Sequence, residues 1–244
     1  MELASFGEQA TAAVVGASGG IGRALTETLA GSASIRRVYA LSRKPQALAD
    51  PKITAAHIDI ANEASIVAAA NSLATDLDLL IVASGLLHSD TVQPEKSIRE
   101  IDGEQMADVL QANTIGPALV AKHFLPHLAR GRKSVFAALS ARVGSIGDNR
   151  LGGWYSYRAS KAALNMLIKT LSIEHGRRRP QSTVIALHPG TVDTALSRPF
   201  SSRVPSGQLR TATDAAHRLL RVIDGLGPED SGQMFAWDGS PIPW

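Results

Sequence analysis

Short apolar runs with little alternation recur along the chain, at Thr11–Val15, Arg37–Leu41, Ile53–Ile58, Leu77–Ala83, Ser134–Leu139, Thr183–Leu187 and Gln233–Trp237. Runs of this length, rich in Val, Ile, Leu and Ala, suit strands covered on both faces, as in a parallel sheet. Between them the apolar positions return with helical period. Ile21–Ala30 lies between Gly20 and Gly31, and Ala64–Leu73 follows Asn62, a capping residue, with Glu63 in its first turn. Glu104–Leu128 reads as two helices, because Gly116-Pro117 interrupts it and a proline starts or kinks a helix. Tyr155–His175 is a long helix ending before Arg177–Pro180, and Asp214–Ile223 a shorter one ending before Gly225. This alternation of strand and helix predicts a doubly wound α/β fold.

Composition narrows the picture. With 244 residues, 44% of them hydrophobic, and no linker, repeat or low-complexity stretch, one domain over residues 1–244 is expected. The absence of cysteine removes disulfides, a thiolate nucleophile and cysteine-based metal sites. The longest apolar stretch, Leu77–Leu87, contains Asp78 and Ser84 and is too short for a bilayer. The opening Met1-Glu-Leu-Ala-Ser lacks the basic flank and apolar run of a secretory signal, so a cytoplasmic protein is expected. The net charge is +3, but the basic residues are dispersed apart from Arg130–Lys133 and Arg177–Arg179. Both clusters follow helical segments, where cations favour the negative end of the dipole, and no nucleic-acid partner is expected. His123 and His127 stand four apart, yet Pro126 intervenes and no carboxylate or cysteine cluster completes a site, so no metal is expected.

The first strand runs into Gly16-Ala-Ser18-Gly-Gly20-Ile21-Gly22 and then a helix. Glycines there permit a sharp turn and close approach to a pyrophosphate, which the helix amides would face; glycines also serve turns with no ligand. The second strand ends in Ser42-Arg43, with no carboxylate to receive the ribose hydroxyls of NAD. Arg43 offers a planar fork for a 2′-phosphate, which favours NADP(H); its plain alternative is a solvated arginine. Asp59, followed by Ile60 at the end of the third strand, either accepts from the adenine amino group or opens the next loop. Tyr157 and Lys161 stand four apart at the start of the long helix and so share a face. An ammonium there would lower the tyrosine pKa, making the phenol a usable acid/base; an ordinary surface pair has the same spacing.

Together Gly16–Gly22, Asn113, Ser140, Tyr157-Arg-Ala-Ser-Lys161 and Pro189-Gly190-Thr-Val192-Asp-Thr194 resemble the short-chain dehydrogenase/reductase family, in order and spacing across nearly the whole chain. Gly144–Gly153 and the ending Phe235–Trp244 resemble the branch containing C-factor and sniffer-type carbonyl reductases. The resemblance implies a single-domain Rossmann-type sheet and an NADP(H)-dependent carbonyl/alcohol oxidoreductase with Tyr157 as general acid/base. It implies that Lys161 holds the nicotinamide ribose, Ser140 hydrogen-bonds the substrate oxygen, and Asn113 holds a water linking Lys161 to solvent. Pro189, Gly190, Val192 and Thr194 would orient the carboxamide, and Ser84 and Gly85 would line the cofactor's path. Two departures stand out: Val82-Ala83-Ser84-Gly85 replaces Asn-Asn-Ala-Gly, and the position three before Gly144 is Ala141, one residue after Ser140. A one-residue offset reverses a strand side chain unless a bulge or turn intervenes, and Ser145 is the second candidate.

Residues 195–210, carrying Arg198, Arg203 and Arg210 with Pro199 and Pro205, are placed as a substrate lid, its arginines either attracting an anion or solvated. Trp154, Tyr155, Phe200 and Trp244 either shape an apolar pocket or pack. The family likeness implies a homodimer or homotetramer through the Asn113–Arg130 and Tyr155–His175 helices. A small-molecule carbonyl or alcohol is the expected substrate. The competing reading is a cofactor-binding signalling or regulatory protein of C-factor type. An extended-family epimerase needs a larger carboxy-terminal domain than this chain has.

Overall fold

All seven apolar runs form strands: β1 (Ala10–Val15), β2 (Ile35–Ser42), β3 (Ile53–His57), β4 (Leu79–Val82), β5 (Ser134–Leu139), β6 (Ser182–His188) and β7 (Met234–Ala236). The computed structural model describes residues 1–203 and 209–244, with side chains for all of these except 201–203. The strands form one sheet in the order β3-β2-β1-β4-β5-β6-β7, every neighbouring pair parallel. Among the described residues six α-helices accompany them: α1 (Gly20–Ala30), α2 (Glu63–Asn71), α3 (Gly103–Leu110), α4 (Gly116–Phe124), α5 (Tyr155–Arg178) and α6 (Ala212–Gly225).

The missing alternation has a direct cause. Ala12 and Val14 of β1 pack beneath α1 and α6, with Leu25, Leu29, Leu219 and Ile223. Ala13 and Val15 face α2, α4 and α5, with Ile66, Phe124, Leu164 and Ile168. Both faces of the sheet are core, so neither parity of the strand can be polar. The chain winds outward from β1 to β3, then returns through α2 to β4 on the far side of β1. Strand order reverses between β1 and β4, and the crevice at their carboxyl ends is where open α/β sheets bind ligands.

Some boundaries differ from the sequence pattern. β4 begins later than Leu77, because the Asp78 carboxylate accepts Thr11 N–H at 2.9 Å and pairs with Arg132 at 2.6 Å. Between α3 and α4 the backbone widens into a π turn, Gln111–Ile115, closed by Gly116 N–H donating to the Gln111 carbonyl. Pro117 in the first turn of α4 has no N–H to return to the Asn113 carbonyl. Gly116 lets this segment lie against the loop after β3, since a Cβ there would stand 3.0 Å from the Ile60 carbonyl oxygen. Residues 198–203 form a 3-10 turn; the Arg203 side chain and Pro205 lie outside the described residues. Arg198 lies 3.6 Å from Asp193, and Arg210 lies 3.6 Å from Asp214 while stacking on Trp237. His123 lies 2.7 Å from Glu63. No helix among the described residues is long and apolar enough to cross a membrane.

Candidate active site

The glycine turn sits at the switch point. Gly16 has φ +89°, and a Cβ on it would lie 2.8 Å from the Ser84 amide nitrogen, so the turn rests directly on the loop after β4. Gly22 is closer still: its Cβ would meet the Gly16 carbonyl oxygen at 2.1 Å. Ser18 and Gly20 are exposed at the lip, Ile21 is half-buried, and α1 starts with no side-chain cap and no acidic residue in its first turn. The amides at that end are therefore open to an anion. A Cβ on Gly20 would stand 2.7 Å from the Thr194 methyl, which shows that the loop after β6 reaches across to the turn. The Ser84 hydroxyl is buried without a partner. These features fit a dinucleotide: a tight glycine turn, uncapped helix amides, and an orphaned hydroxyl beside them.

At the outer end of the cradle Ser42 is buried and Arg43 is exposed, with no hydrogen bond or ion pair to any described residue. Asp59 Oδ1 accepts from Ala61 N–H at 3.0 Å in the loop before α2. At the inner end Pro189 and Gly190 follow β6; Gly190 has φ +76°, and a Cβ there would meet the Trp237 ring at 2.9 Å. Val192 pairs with Arg210, and the Ser197 hydroxyl donates to the Val192 carbonyl, which shapes the turn carrying Thr194.

Tyr157 and Lys161 lie one turn apart on α5, with the Lys161 ammonium 5.8 Å from the Tyr157 ring centroid. Lys161 is 3% exposed and donates to the Leu139 carbonyl at 2.9 Å, which ties α5 to the end of β5. Gly85 passes beside it: a Cβ there would lie 3.8 Å from Lys161 Nζ and 3.5 Å from Asn113 Oδ1. Burial pushes the Tyr157 phenol up to about 12 and Lys161 down to about 8. The lowering of the tyrosine expected from the lysine is therefore not what this arrangement produces. Loss of water around the phenol outweighs an ammonium whose proton is directed at a carbonyl.

Asn113 is fully buried and works in both directions, its Oδ1 accepting from Leu86 N–H at 2.8 Å and its Nδ2 donating to the Leu86 carbonyl at 2.7 Å. It also donates to Ser160 Oγ at 3.1 Å, so one side chain joins the loop after β4 to α5. Ser140 is 4% exposed, and its hydroxyl donates to Asn165 Oδ1 at 2.7 Å. Strand parity explains this: Ser140 continues the side of β5 occupied by Phe136 and Ala138, while Ala141, half-buried, follows it out of the strand. No bulge turns Ser140 outward, and its one proton is committed to Asn165. Ser145 is also buried, its Oγ accepting from Asp148 N–H at 3.1 Å.

Two participants were not anticipated from sequence. Asn165 was visible as the next residue on the Tyr157–Lys161 face, one turn on. His188, closing β6, has a buried Nδ1 without a partner, and burial followed by the charges of Arg142 and Arg210 pushes it down to about 4. Nothing in the local pattern marks it. Above the tyrosine, Trp154 stands edge-on to Tyr157 at 6.2 Å and to Phe200 at 5.1 Å, and His88 Nε2 lies 3.2 Å from the Ala195 carbonyl. The loops after β4 and β6 thus meet over the phenol.

Comparison with known proteins agrees with this arrangement. The profile of the short chain dehydrogenase family matches residues 10–204. C-signal of Myxococcus xanthus is 38% identical over 149 residues, which cover 61% of this chain and 84% of that protein. The 1-hydroxy-2-glutathionyl-2-methyl-3-butene dehydrogenase of Rhodococcus sp. (strain AD45) is 33% identical over 190 residues, 77% of this chain and 78% of that one. The NADPH-bound carbonyl reductase from chicken fatty liver superposes with a TM-score of 0.82 at 29% identity, covering 97% of this chain and 95% of that one. By the extent of these matches, and by a glycine turn, a Tyr157–Lys161 pair and a β6 loop that converge at one end of the sheet, the chain belongs to the short chain dehydrogenase family of oxidoreductases.

Proposed function

We propose that the protein is an NADP(H)-dependent reductase of small or medium aldehydes and ketones, acting in the cytoplasm as a homodimer or homotetramer. The observation that carries this reading is the Tyr157–Lys161 pair, with its lysine buried against the Leu139 carbonyl beside an open dinucleotide cradle. The glycine turn, Ser84 and Asp59 would hold the adenosine and pyrophosphate, Arg43 the 2′-phosphate, Lys161 the nicotinamide ribose, and Pro189–Thr194 the carboxamide. The bound nicotinamide supplies a hydride for the carbonyl carbon.

The chain's own residues supply the proton and the setting. Tyr157, its phenol pushed up by burial and so protonated at neutral pH, would donate that proton to the carbonyl oxygen. Lys161, charged below about pH 8, stabilises the phenolate left behind. The Asn113 carbonyl, lacking the N–H that Pro117 cannot supply, is a ready acceptor for a water in a proton path to solvent. Ser140, whose hydroxyl donates to Asn165 Oδ1, would support the floor of the site through that residue. Trp154 and Phe200 exclude water above the phenol.

Titration with NADPH and NADH by fluorescence, followed by NADPH oxidation across a panel of aldehydes, ketones and diketones, tests the reading. NADPH binding with turnover supports it, and Tyr157→Phe should then bind cofactor normally while turnover falls by at least about a hundredfold. A second reading, a cofactor-binding signalling protein, is favoured by Ala141 standing where many relatives carry a serine and by the likeness to C-signal. NADPH binding without turnover of any carbonyl would select it.

A further inference from the structure

The helix that carries Tyr157 begins without a cap of its own. α5 opens after Trp154, whose backbone is left-handed (φ 51°, ψ 46°) and whose side chain bonds none of the first-turn amides; no acidic residue stands in that turn. The first amides of a helix have no partner within it, and here they are enclosed, Ser156 being 3% exposed. The missing acceptor comes from 61 residues away. Glu95, in the loop between β4 and α3, is 4% exposed and places its two carboxylate oxygens 3.2 and 3.3 Å from Ser156 N–H. The Ser156 hydroxyl donates to the same carboxylate, and the Glu95 main-chain carbonyl accepts Trp154 N–H at 2.5 Å. One residue therefore secures the entry to the helix by side chain and by backbone. Its negative charge lies at the end of α5 where the dipole favours it.

What this tether holds is the position of the phenol. Tyr157 directly follows Ser156, and both line a narrow crevice with Glu95, Leu87 and Val92. A tryptophan keeps a left-handed backbone only where its surroundings impose it, and Trp154 is held on both sides, by Glu95 through its N–H and by Tyr157 and Phe200 through its ring. Lys161 is anchored independently, to the Leu139 carbonyl. The first turn of α5 can thus shift without moving the lysine.

We propose that Glu95 is a positioning residue for Tyr157: by capping α5 from the loop at the end of β4, it sets where the phenol meets the substrate oxygen. The proposal rests on Tyr157 as the proton donor. It is tested on the full-length protein with NADPH and a turned-over carbonyl, in Glu95→Ala, Glu95→Gln and Ser156→Ala, alongside amide hydrogen exchange of each. Glu95→Ala should lower kcat about tenfold to a hundredfold, the scale of a misplaced reacting group, with the NADPH dissociation constant unchanged. Glu95→Gln, whose amide oxygen still accepts from Ser156, should recover most of the rate, and exchange should quicken at residues 155–157 in Glu95→Ala alone. Ser156→Ala, a milder change that tests the idea should Glu95→Ala fail to fold, should lower kcat in the same direction with cofactor affinity intact. Wild-type kcat in Glu95→Ala, equal loss of cofactor affinity and kcat, or Gln no better than Ala would overturn the proposal. If the wild type turns over no carbonyl, the functional reading fails separately, and unaltered exchange at 155–157 then rejects the tether itself.

Discussion

Lys161 shows how burial converts a single side chain into a pH-dependent term. Its pKa falls from an ordinary 10.5 to about 8, because the folded chain disfavours the buried ammonium. Between those values the unfolded chain binds more protons than the folded one, so this contribution to stability rises with pH from about 8 towards 10.5; below 8 the penalty is complete. Lys161→Met removes a penalty on the order of 3 kcal/mol, less about 1 kcal/mol for the lost hydrogen bond. Chemical denaturation should find the variant more stable than wild type near pH 7, with the gap closing as pH rises to about 10; a gap independent of pH would remove the argument. Reductase turnover in the wild type should decline above about pH 8 as the charge is lost. At the other end of the cradle, Arg43→Ala should weaken NADPH by about tenfold or more and leave NADH unchanged, since the charge-assisted bond proposed for Arg43 is one that only a 2′-phosphate could make. Equal losses for both cofactors would refute the phosphate assignment. The residues themselves were largely legible: the glycines, Tyr157 and Lys161 lie in local motifs whose chemistry depends on spacing within one turn or one helix. The direction of Ser140 was not, because it depends on the parity of β5 against α5. Nor was Glu95, whose partner is 61 residues distant.

Elements explain why those motifs meet. The inner strands were legible because a sheet covered on both faces is apolar at successive positions, and the start of β4 was not, because the Asp78 carboxylate takes the Thr11 N–H. The π turn at Gln111–Ile115 left only an indirect trace, Gly116-Pro117, which marked a break without saying that the helix continues on a wider turn. The approach of α5 to the loop after β5 is equally silent in sequence, and it rests on Gly144. A Cβ there would lie 2.6 Å from Lys161 Cβ and 2.8 Å from the Lys161 carbonyl carbon, atoms fixed to the helix backbone. Gly144→Ala must therefore separate the loop from α5 and draw Lys161 from the Leu139 carbonyl. We expect a loss of about 1–3 kcal/mol in stability, as for overpacking elsewhere, together with a fall in kcat measured well below the melting temperature. Gly103→Ala, where a Cβ would meet nothing within 4 Å, is the matched control and should be neutral. A Gly144→Ala enzyme with wild-type stability and rate would show that the contact is not what seats the lysine.

At the scale of the molecule, one face of α5 does not belong to the core. Leu164 and Ile168 are buried against the sheet, whereas Met166 is 67% exposed and Ile173 51% exposed on the opposite side, seven residues apart and hence aligned. Ile115, between α3 and α4, is 46% exposed. Solvated large apolar side chains in register on a long helix are what a symmetric contact between copies would bury, and the same helix presents Tyr157 and Lys161. Sedimentation equilibrium should therefore find an oligomer, and Met166→Glu with Ile173→Glu should shift it to monomer by placing like charges across the contact. The glycine turn, Tyr157 and Lys161 converge within one chain, so the monomeric variant should still bind NADPH. Its melting temperature should become lower than that of the wild type, and only the wild type's should rise with protein concentration, because association stabilises the fold by mass action. A wild type that sediments as a monomer at high concentration would mean that this face meets solvent alone, and that α5 is held in place entirely by the sheet, Asn113 and Glu95.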